Sequence, residues 1–459
     1  MSNNPFQSAF DKLNANKYKL RNRSLRDRIK SLSALEKAIL KNRQNFREAV
    51  FNDFRKPHLE TDITELYVVL KEIRYTKARL RSWMLSENIA TPLALLGTSA
   101  QVIKESKGVC LIIAPWNYPI NLCLGPMVSA IAAGNAIVLK PSEHTPHTSA
   151  ELKKFISANF KENEVMVIEG GKETSEQLLT LPFDHIFFTG SPGIGTLVME
   201  SAAKNLTSVT LELGGKSPVY VHHDADIKDA AAKINAAKYV NSGQSCIAPD
   251  YVLAHSDIAN ELADELKIAS CRFYDPENVE KNSYASIVNS DQYNRLLMLS
   301  GYEETNENNK ELRLLPPMIV MDVHPESELM KKEIFGPIMP ILKVQSEKEA
   351  IEIMQKHHET LAIYIFSRNK KIKETFRKGT SSGSICYNEC AVQFLNPALP
   401  FGGIHGSGIG RSHGKAGFMT FSNERVVFNQ RIGLTTAKLL YPPYSKFKKI
   451  LVDLLLKYF

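Results

Sequence analysis

Cys246 closes the segment NSGQSC (241–246), which is polar and contains glycine rather than forming an apolar run. A lone cysteine is more often a small core hydrophobe than a nucleophile. To attack, it must be a thiolate, so its free pKa of about 8.5 has to be lowered by a helix N-terminus or a nearby positive charge. Glu212 stands in LELGGK (211–216), a carboxylate between apolar residues at a strand end. Such a group is either paired in the core or partly desolvated into a usable general base. Asn117 lies in APWNYP (114–119), held between two prolines in a loop after a strand. A rigidly placed amide N–H suits an oxyanion hole, although a lone loop Asn commonly serves only its own turn.

A second set of motifs suits a dinucleotide. FTGSPGIG (188–195) follows a strand and opens a helix, with Gly190, Ser191 and Gly195 at the turn. Ser191 can cap that helix, Pro192 suits its first turn, and the helix N–H groups favour a pyrophosphate. The spacing is not GxGxxG, so an ordinary glycine-rich turn explains it equally well. VLKPSE (138–143) puts Lys140 and Glu143 at a strand end, where they can grip the two hydroxyls of an adenosine ribose. EIFGP (333–337) offers Glu333 for a second ribose and Phe335 as a shelf for a nicotinamide, or simply a turn with a packed Phe. LPFGGI (399–404), followed by Gly406, Gly408 and Gly410, reads as an irregular loop that walls a tunnel or turns a corner.

These residues need elements to position them. Residues 8–50 and 61–86 show helical spacing of apolar residues, and 91–107 breaks that pattern as a β-hairpin arm. From residue 108, short apolar runs at 109–114, 136–139, 165–168, 185–188 and 209–211 alternate with helical segments. Such alternation implies a parallel, doubly wound sheet. A second series, with strands at 219–221, 251–254, 361–366 and 384–387, implies another α/β domain joined to the first near 212–216. The segment 302–310 is the most polar and reads as an exposed loop. Phe447, Ile450, Leu451, Leu454, Leu455 and Tyr458 make one face of an amphipathic tail helix, too short to span a bilayer. That helix either lies on an anionic membrane or over the tunnel, or docks on its own or a partner subunit.

The whole chain sets bounds on these readings. Its 459 residues exceed one hydrophobic core. A hydrophobic fraction of 43% and a charged fraction of 23% are those of a globular protein that can bury large cores. The +8 formal charge is mild for this length and gathers in basic runs near both ends. No zinc-finger or RNA-binding signature accompanies it, which argues against nucleic acid as a partner. Six cysteines without a CxxC pair suit free thiols in a reducing compartment and suggest neither a disulfide scaffold nor a metal site. The N-terminus reads as lacking a secretory signal, so the expected location is cytoplasmic, with peripheral membrane contact through the tail helix.

Taken together and in this order, PWNYP, LKPSE, FTGSxxxG, LELGGK, GQxC, EIFGP and PFGG resemble the aldehyde dehydrogenase superfamily along nearly the whole chain. ELYVVLKE (65–72), APDY (248–251) and YPPY (441–444) look like its class 3 branch. The resemblance implies an α/β fold with a Rossmann-type cofactor domain, an α/β catalytic domain and a small β-hairpin and tail oligomerisation element. The expected boundaries are 1–213 with the arm near 88–106, 214–405, and 406–459. It implies NAD or NADP as cofactor, an aldehyde (medium-chain, long-chain or aromatic) as substrate, and a homodimer. By that resemblance Cys246 is the nucleophile, Glu212 the general base and Asn117 an oxyanion donor beside the Cys246 backbone N–H. Trp116, Lys140, Glu143, Gly190, Ser191, Gly195, Glu333 and Phe335 would hold the dinucleotide. The chain departs from the branch at Gln393, at Ile404-His405 and at Ser412, all in the loop that shapes the substrate entrance. The rival readings are a coenzyme-A-acylating dehydrogenase, which would not need the hydrolytic base Glu212, and a non-catalytic protein on the same scaffold.

Overall fold

The computed structural model describes residues 4–92, 95–274, 284–357, 360–433 and 435–458. Helices Gln7–Arg21, Leu25–Lys41 and Arg43–Phe54 open the chain. The next helix starts at His58–Thr61, makes one π-turn at Asp62–Leu66 and continues as Tyr67–Met84. Its apolar positions Leu66, Val69, Leu70 and Ile73 are buried, as their spacing predicts.

One six-stranded sheet runs in the order Gly408–Ile409, Ser208–Leu213, His185–Gly190, Val109–Ile113, Ala136–Lys140, Val165–Val167. All neighbours are parallel except the first pair, in which Gly408 stands opposite Glu212. Strand order reverses between Val109–Ile113 and His185–Gly190, and ligands of open α/β sheets bind beyond the strand ends at such a switch point. Every strand that carries a sequence motif therefore ends at one edge: 113 before Trp116, Lys140, Gly190, and Glu212 with Leu213.

A second, wholly parallel sheet runs Met318–Val320, Ile338–Val344, Tyr251–His255, Pro218–Val221, Ala362–Phe366, Ser384–Tyr387. Apolar clusters cover both faces of each sheet, as parallel sheets require. A third sheet of three antiparallel strands joins Glu87–Ile89 and Thr98–Ser106 to Ser422–Gln430.

The structure differs from the sequence expectations in three places. The strands Met318–Val320 and Ile338–Val344 belong to the second sheet although no alternation marks them, and Pro340 interrupts the longer one. The arm does contain an antiparallel pair, Glu87–Ile89 with Thr98–Ser106, but its long strand also pairs with the C-terminal Ser422–Gln430 along nine positions, a partner the sequence does not announce. Within 302–310, Asn306 accepts hydrogen bonds from the Asn308 and Asn309 N–H groups and starts a short helix, Glu307–Leu312, in place of a loop.

Candidate active site

A cavity of about 1100 Å³ lies between the edges of the two large sheets. Cys246, Glu212 and Asn117 line it, as do Trp116, Lys140 and Glu143. Gly190, Ser191, Glu333 and Phe335 complete the set on the same wall. Motifs spread over more than 200 residues of sequence thus share one pocket. Gly195 stands apart. It is buried in the helix Pro192–Ala203, where a Cβ would approach the Leu213 side chain to 2.7 Å, so its part is close helix–strand packing.

The cysteine loop is shaped by its backbone. Asn241 and Ser242 both take left-handed φ values, 56° and 53°. Few non-glycine residues adopt that region without a local reason. Gln244 is locked on all sides: its side chain donates to the Asn241 and Ser286 carbonyls, each at 3.0 Å, and accepts the Val288 N–H at 3.0 Å. Ser217 donates to the Cys246 carbonyl at 3.2 Å. The Cys246 side chain remains on the cavity wall while its backbone is fixed.

Asn117 is buried and donates its side-chain amide to the Gln244 carbonyl at 3.1 Å. An amide NH₂ has two donors. Spending one on Gln244 orients the other, which is what a preorganised oxyanion hole needs.

Burial pushes the Cys246 thiol well up, with the Glu333 and Glu212 carboxylates adding to it, while backbone N–H groups at Cys246 and Ile247 pull the other way. The protein alone therefore does not lower this thiol, contrary to one sequence expectation. Burial likewise raises the Glu212 carboxyl to about 8 against the hydrogen bond from Ser412. Ser412 donates to Glu212 Oε1 at 3.0 Å, and Oε2, also buried, has no partner among the described residues. Glu333 is raised to about 8, again mainly by burial, with Asp250 adding to it and the Gly215 N–H opposing. A Cβ on Gly214 would collide with the Glu333 carboxylate, which explains the first glycine of LELGGK.

The opposite end of the cavity fits a dinucleotide. Lys140 donates to Glu143 at 2.8 Å, leaving a charged pair at a strand end. Ser191, before Pro192 at the head of its helix, makes no side-chain cap, so the helix's own first N–H groups face the cavity side. The Trp116 and Phe335 rings meet edge to face at 5.3 Å, making an aromatic wall between that cleft and Cys246.

Sequence reading missed several groups here. Lys216, paired with Asp250, also donates to the Leu329 and Lys332 carbonyls at 3.0 and 2.8 Å. Asp250 in turn accepts the Ile334 N–H at 2.9 Å, so this pair fixes the EIFGP loop. Glu72 is buried on the cavity wall, accepts the Gly414 N–H at 2.7 Å and is raised by burial to about 7. His413, held between Phe394 and Phe401, is lowered by burial to about 4. Glu65 and Glu72 stand seven residues apart within an apolar helical stripe, and that placement was a readable sign of buried carboxylates.

Known proteins are similar to the chain along most of its length. The aldehyde dehydrogenase family matches residues 2–427. The chain is 39% identical over 428 residues to 4,4'-diaponeurosporen-aldehyde dehydrogenase of Staphylococcus aureus, covering 92% of this chain and 93% of that one. It is 39% identical over 425 residues to the dimeric NADP-preferring aldehyde dehydrogenase of Rattus norvegicus, covering 92% and 94%. A solved structure titled as the substrate-bound state of Staphylococcus aureus AldH superposes with a TM-score of 0.93 at 36% identity, covering 98% of this chain and 99% of the other.

Proposed function

The chain belongs to the aldehyde dehydrogenase family, is an NAD(P)-dependent aldehyde dehydrogenase of the class 3-like branch, and from that premise we propose that it turns apolar aldehydes into carboxylic acids through a thioester on Cys246. The observation that carries this reading is the convergence of Cys246, Glu212 and Asn117 on one cavity with the Lys140–Glu143 cleft at its other end. The Cys246 thiolate adds to the aldehyde carbon, and the resulting oxyanion takes the free N–H of Asn117 together with the Cys246 backbone N–H. NAD(P)⁺, when bound, would supply the hydride acceptor and a positive ring charge. Lys140 and Glu143 would hold its adenosine ribose, Gly190 and Ser191 its pyrophosphate, and Glu333, Phe335 and Trp116 its nicotinamide end. Oxidation of the carbon leaves an acyl thioester on Cys246. Glu212 then takes a proton from water through its free Oε2, the hydroxide attacks the acyl carbon, and the acid departs. Splitting one hard step into two easier ones is the gain of the covalent route.

Apolar side chains of Ile63, Val68, Leu122, Phe394 and Phe401 on the cavity wall support a medium-chain, long-chain or aromatic aldehyde. The similarity to an enzyme named for 4,4'-diaponeurosporen-aldehyde points the same way. A panel of aldehydes with NAD⁺ and NADP⁺, read as NAD(P)H absorbance, tests the reading. Cys246→Ala should reduce turnover to background with cofactor binding kept, and sustained turnover by that variant removes the nucleophile assignment. Product that appears only with coenzyme A would move the chain to the acylating class.

A homodimer fits the three-stranded sheet, whose outer strand Ser422–Gln430 exposes Val426 and Phe428, and a relative is named as dimeric. Among the described residues no helix is long and apolar enough to cross a membrane. The tail helix Lys446–Tyr458 has no buried residue and exposes Phe447, Ile450 and Leu454 beside its lysines, which suits peripheral contact with an anionic membrane. Sedimentation with anionic vesicles, full chain against one ending at Tyr444, decides; equal partitioning ends the membrane reading.

A further inference from the structure

Three charged side chains behind the cavity belong to no step described so far. Lys56 and Glu65 form an ion pair at 2.9 Å, and the side chains of both are fully buried. Buried ion pairs seldom add net stability, so their retention calls for another role. Each remaining bond of this pair goes to the Asn117 loop. Lys56 donates to the Asn117 carbonyl at 3.2 Å and lies 4.0 Å over the Tyr118 ring. The second oxygen of Glu65 accepts the Ile120 and Asn121 N–H groups at 2.8 and 3.1 Å. The third charge, Glu60, accepts the Asn241 N–H at 2.8 Å, at the first of the two left-handed residues of the cysteine loop. Asn241 then ties the loops together, donating to the Asn117 carbonyl at 2.9 Å and the Gln244 carbonyl at 3.1 Å. The π-turn Asp62–Leu66 contains Glu65 and begins two residues after Glu60. Its wider i→i+5 turn brings two carboxylates five residues apart toward the same side, which an α-turn would splay.

We infer that Lys56, Glu60 and Glu65 form a positioning device that sets the Asn117 loop against the Cys246 loop, and so fixes the oxyanion hole relative to the sulfur. The inference rests on the roles given above to Cys246 and Asn117. Glu60 supplies an acceptor for an otherwise strained turn, Glu65 grips the opposite loop, and Lys56 pairs with Glu65 while holding the carbonyl of Asn117. None of the three touches the reacting atoms.

The test is a double-mutant cycle on the full enzyme with the best aldehyde of the panel. Glu60→Met should lower kcat about 30-fold, within the range lost when an oxyanion donor is misplaced, with the cofactor Kd unchanged. Glu60→Gln, which keeps the acceptor oxygen, should recover kcat to within about threefold of wild type. In an Asn117→Ala background, Glu60→Met should cost less than about threefold, because the donor it positions is already gone. Full additivity in that background, or a Glu60→Met enzyme with wild-type kcat, overturns the inference. If Glu60→Met does not fold, Asn241→Gly takes its place: glycine accepts the left-handed backbone and removes only the side-chain bridge. Its kcat should fall at least about tenfold, and wild-type kcat overturns the inference. The underlying reading fails separately, through a Cys246→Ala or Asn117→Ala enzyme that turns over normally.

Discussion

Glu212, on the strand Ser208–Leu213, and Glu333, on a loop, lie near the same cysteine, and burial raises both carboxyls to about 8. Their surroundings nevertheless differ. Glu333 is packed against Gly214 and receives the Gly215 N–H. Its neighbour Ile334 is pinned at both backbone groups, by Asp250 at 2.9 Å and by Arg295 at 2.7 Å. Glu212 has one bond from Ser412 and one oxygen with no partner among the described residues. Desolvation alone makes neither carboxylate a base. What separates them is freedom: a group fixed on every side can hold a ligand, whereas one with a spare buried lone pair can take a proton from water.

Glu212→Gln gives the sharpest test of this contrast. Losing a general base should slow turnover about 1000-fold while a first burst of NAD(P)H survives. Mass spectrometry during turnover should find acylated Cys246, and an unmodified thiol would erase the distinction between the two carboxylates. Glu333→Gln should cost less, about 10- to 100-fold, through a misplaced reaction partner. A deuterated aldehyde should then show a larger isotope effect on kcat, and an unchanged effect would mean Glu333 does not align hydride transfer. Ser412→Ala should be milder still, about fivefold at neutral pH. Removing a donor to the anion raises the Glu212 carboxyl further, so the deacylation rate should rise only at higher pH than in wild type. A profile that stays in place would show that the hydroxyl does not tune the base.

The smallest effect concerns stability. Both carboxyls bind a proton more tightly in the fold than at their ordinary value of 4.5. The stability they contribute is complete below that value and is lost as pH rises through about 8. The melting temperature should therefore fall from pH 5 to pH 8, and fall less in Glu212→Gln and Glu333→Gln. Identical slopes in all three proteins would mean that neither carboxyl is as desolvated as its burial implies.

Most of the residues that gather on the cavity were legible because they sit in short motifs at strand ends. The strands 109–113, 136–140, 185–190 and 208–213 announce themselves as apolar runs between turn residues, and their motifs follow within a few positions. What could not be read depends on distant partners. Lys56 and Glu60 look like helix-surface charges until tertiary packing sets them against the Asn117 and Asn241 loops. Lys216 and Asp250 have no period in common. Ile338–Val344 hides behind Pro340, and Ser422–Gln430, with its polar composition, gains its place only by pairing with a strand more than 300 residues earlier. The thiol of Cys246 is the other lesson: the sequence reading required a helix N-terminus or a positive charge to lower it, yet burial in the folded pocket works against its ionisation.

The short antiparallel pairing of Gly408 with Glu212 ties two traits that might otherwise vary separately. The loop from Phe401 to Gly414, proposed to shape the aldehyde entrance, is sewn onto the strand that carries Glu212, the proposed hydrolytic base, first by that ladder and again by Ser412. Remodelling the doorway for a bulkier guest will therefore also disturb the release of product. Selection for new substrates on this scaffold has to move both ends of one thread, so breadth of diet and speed of clearance should trade against each other.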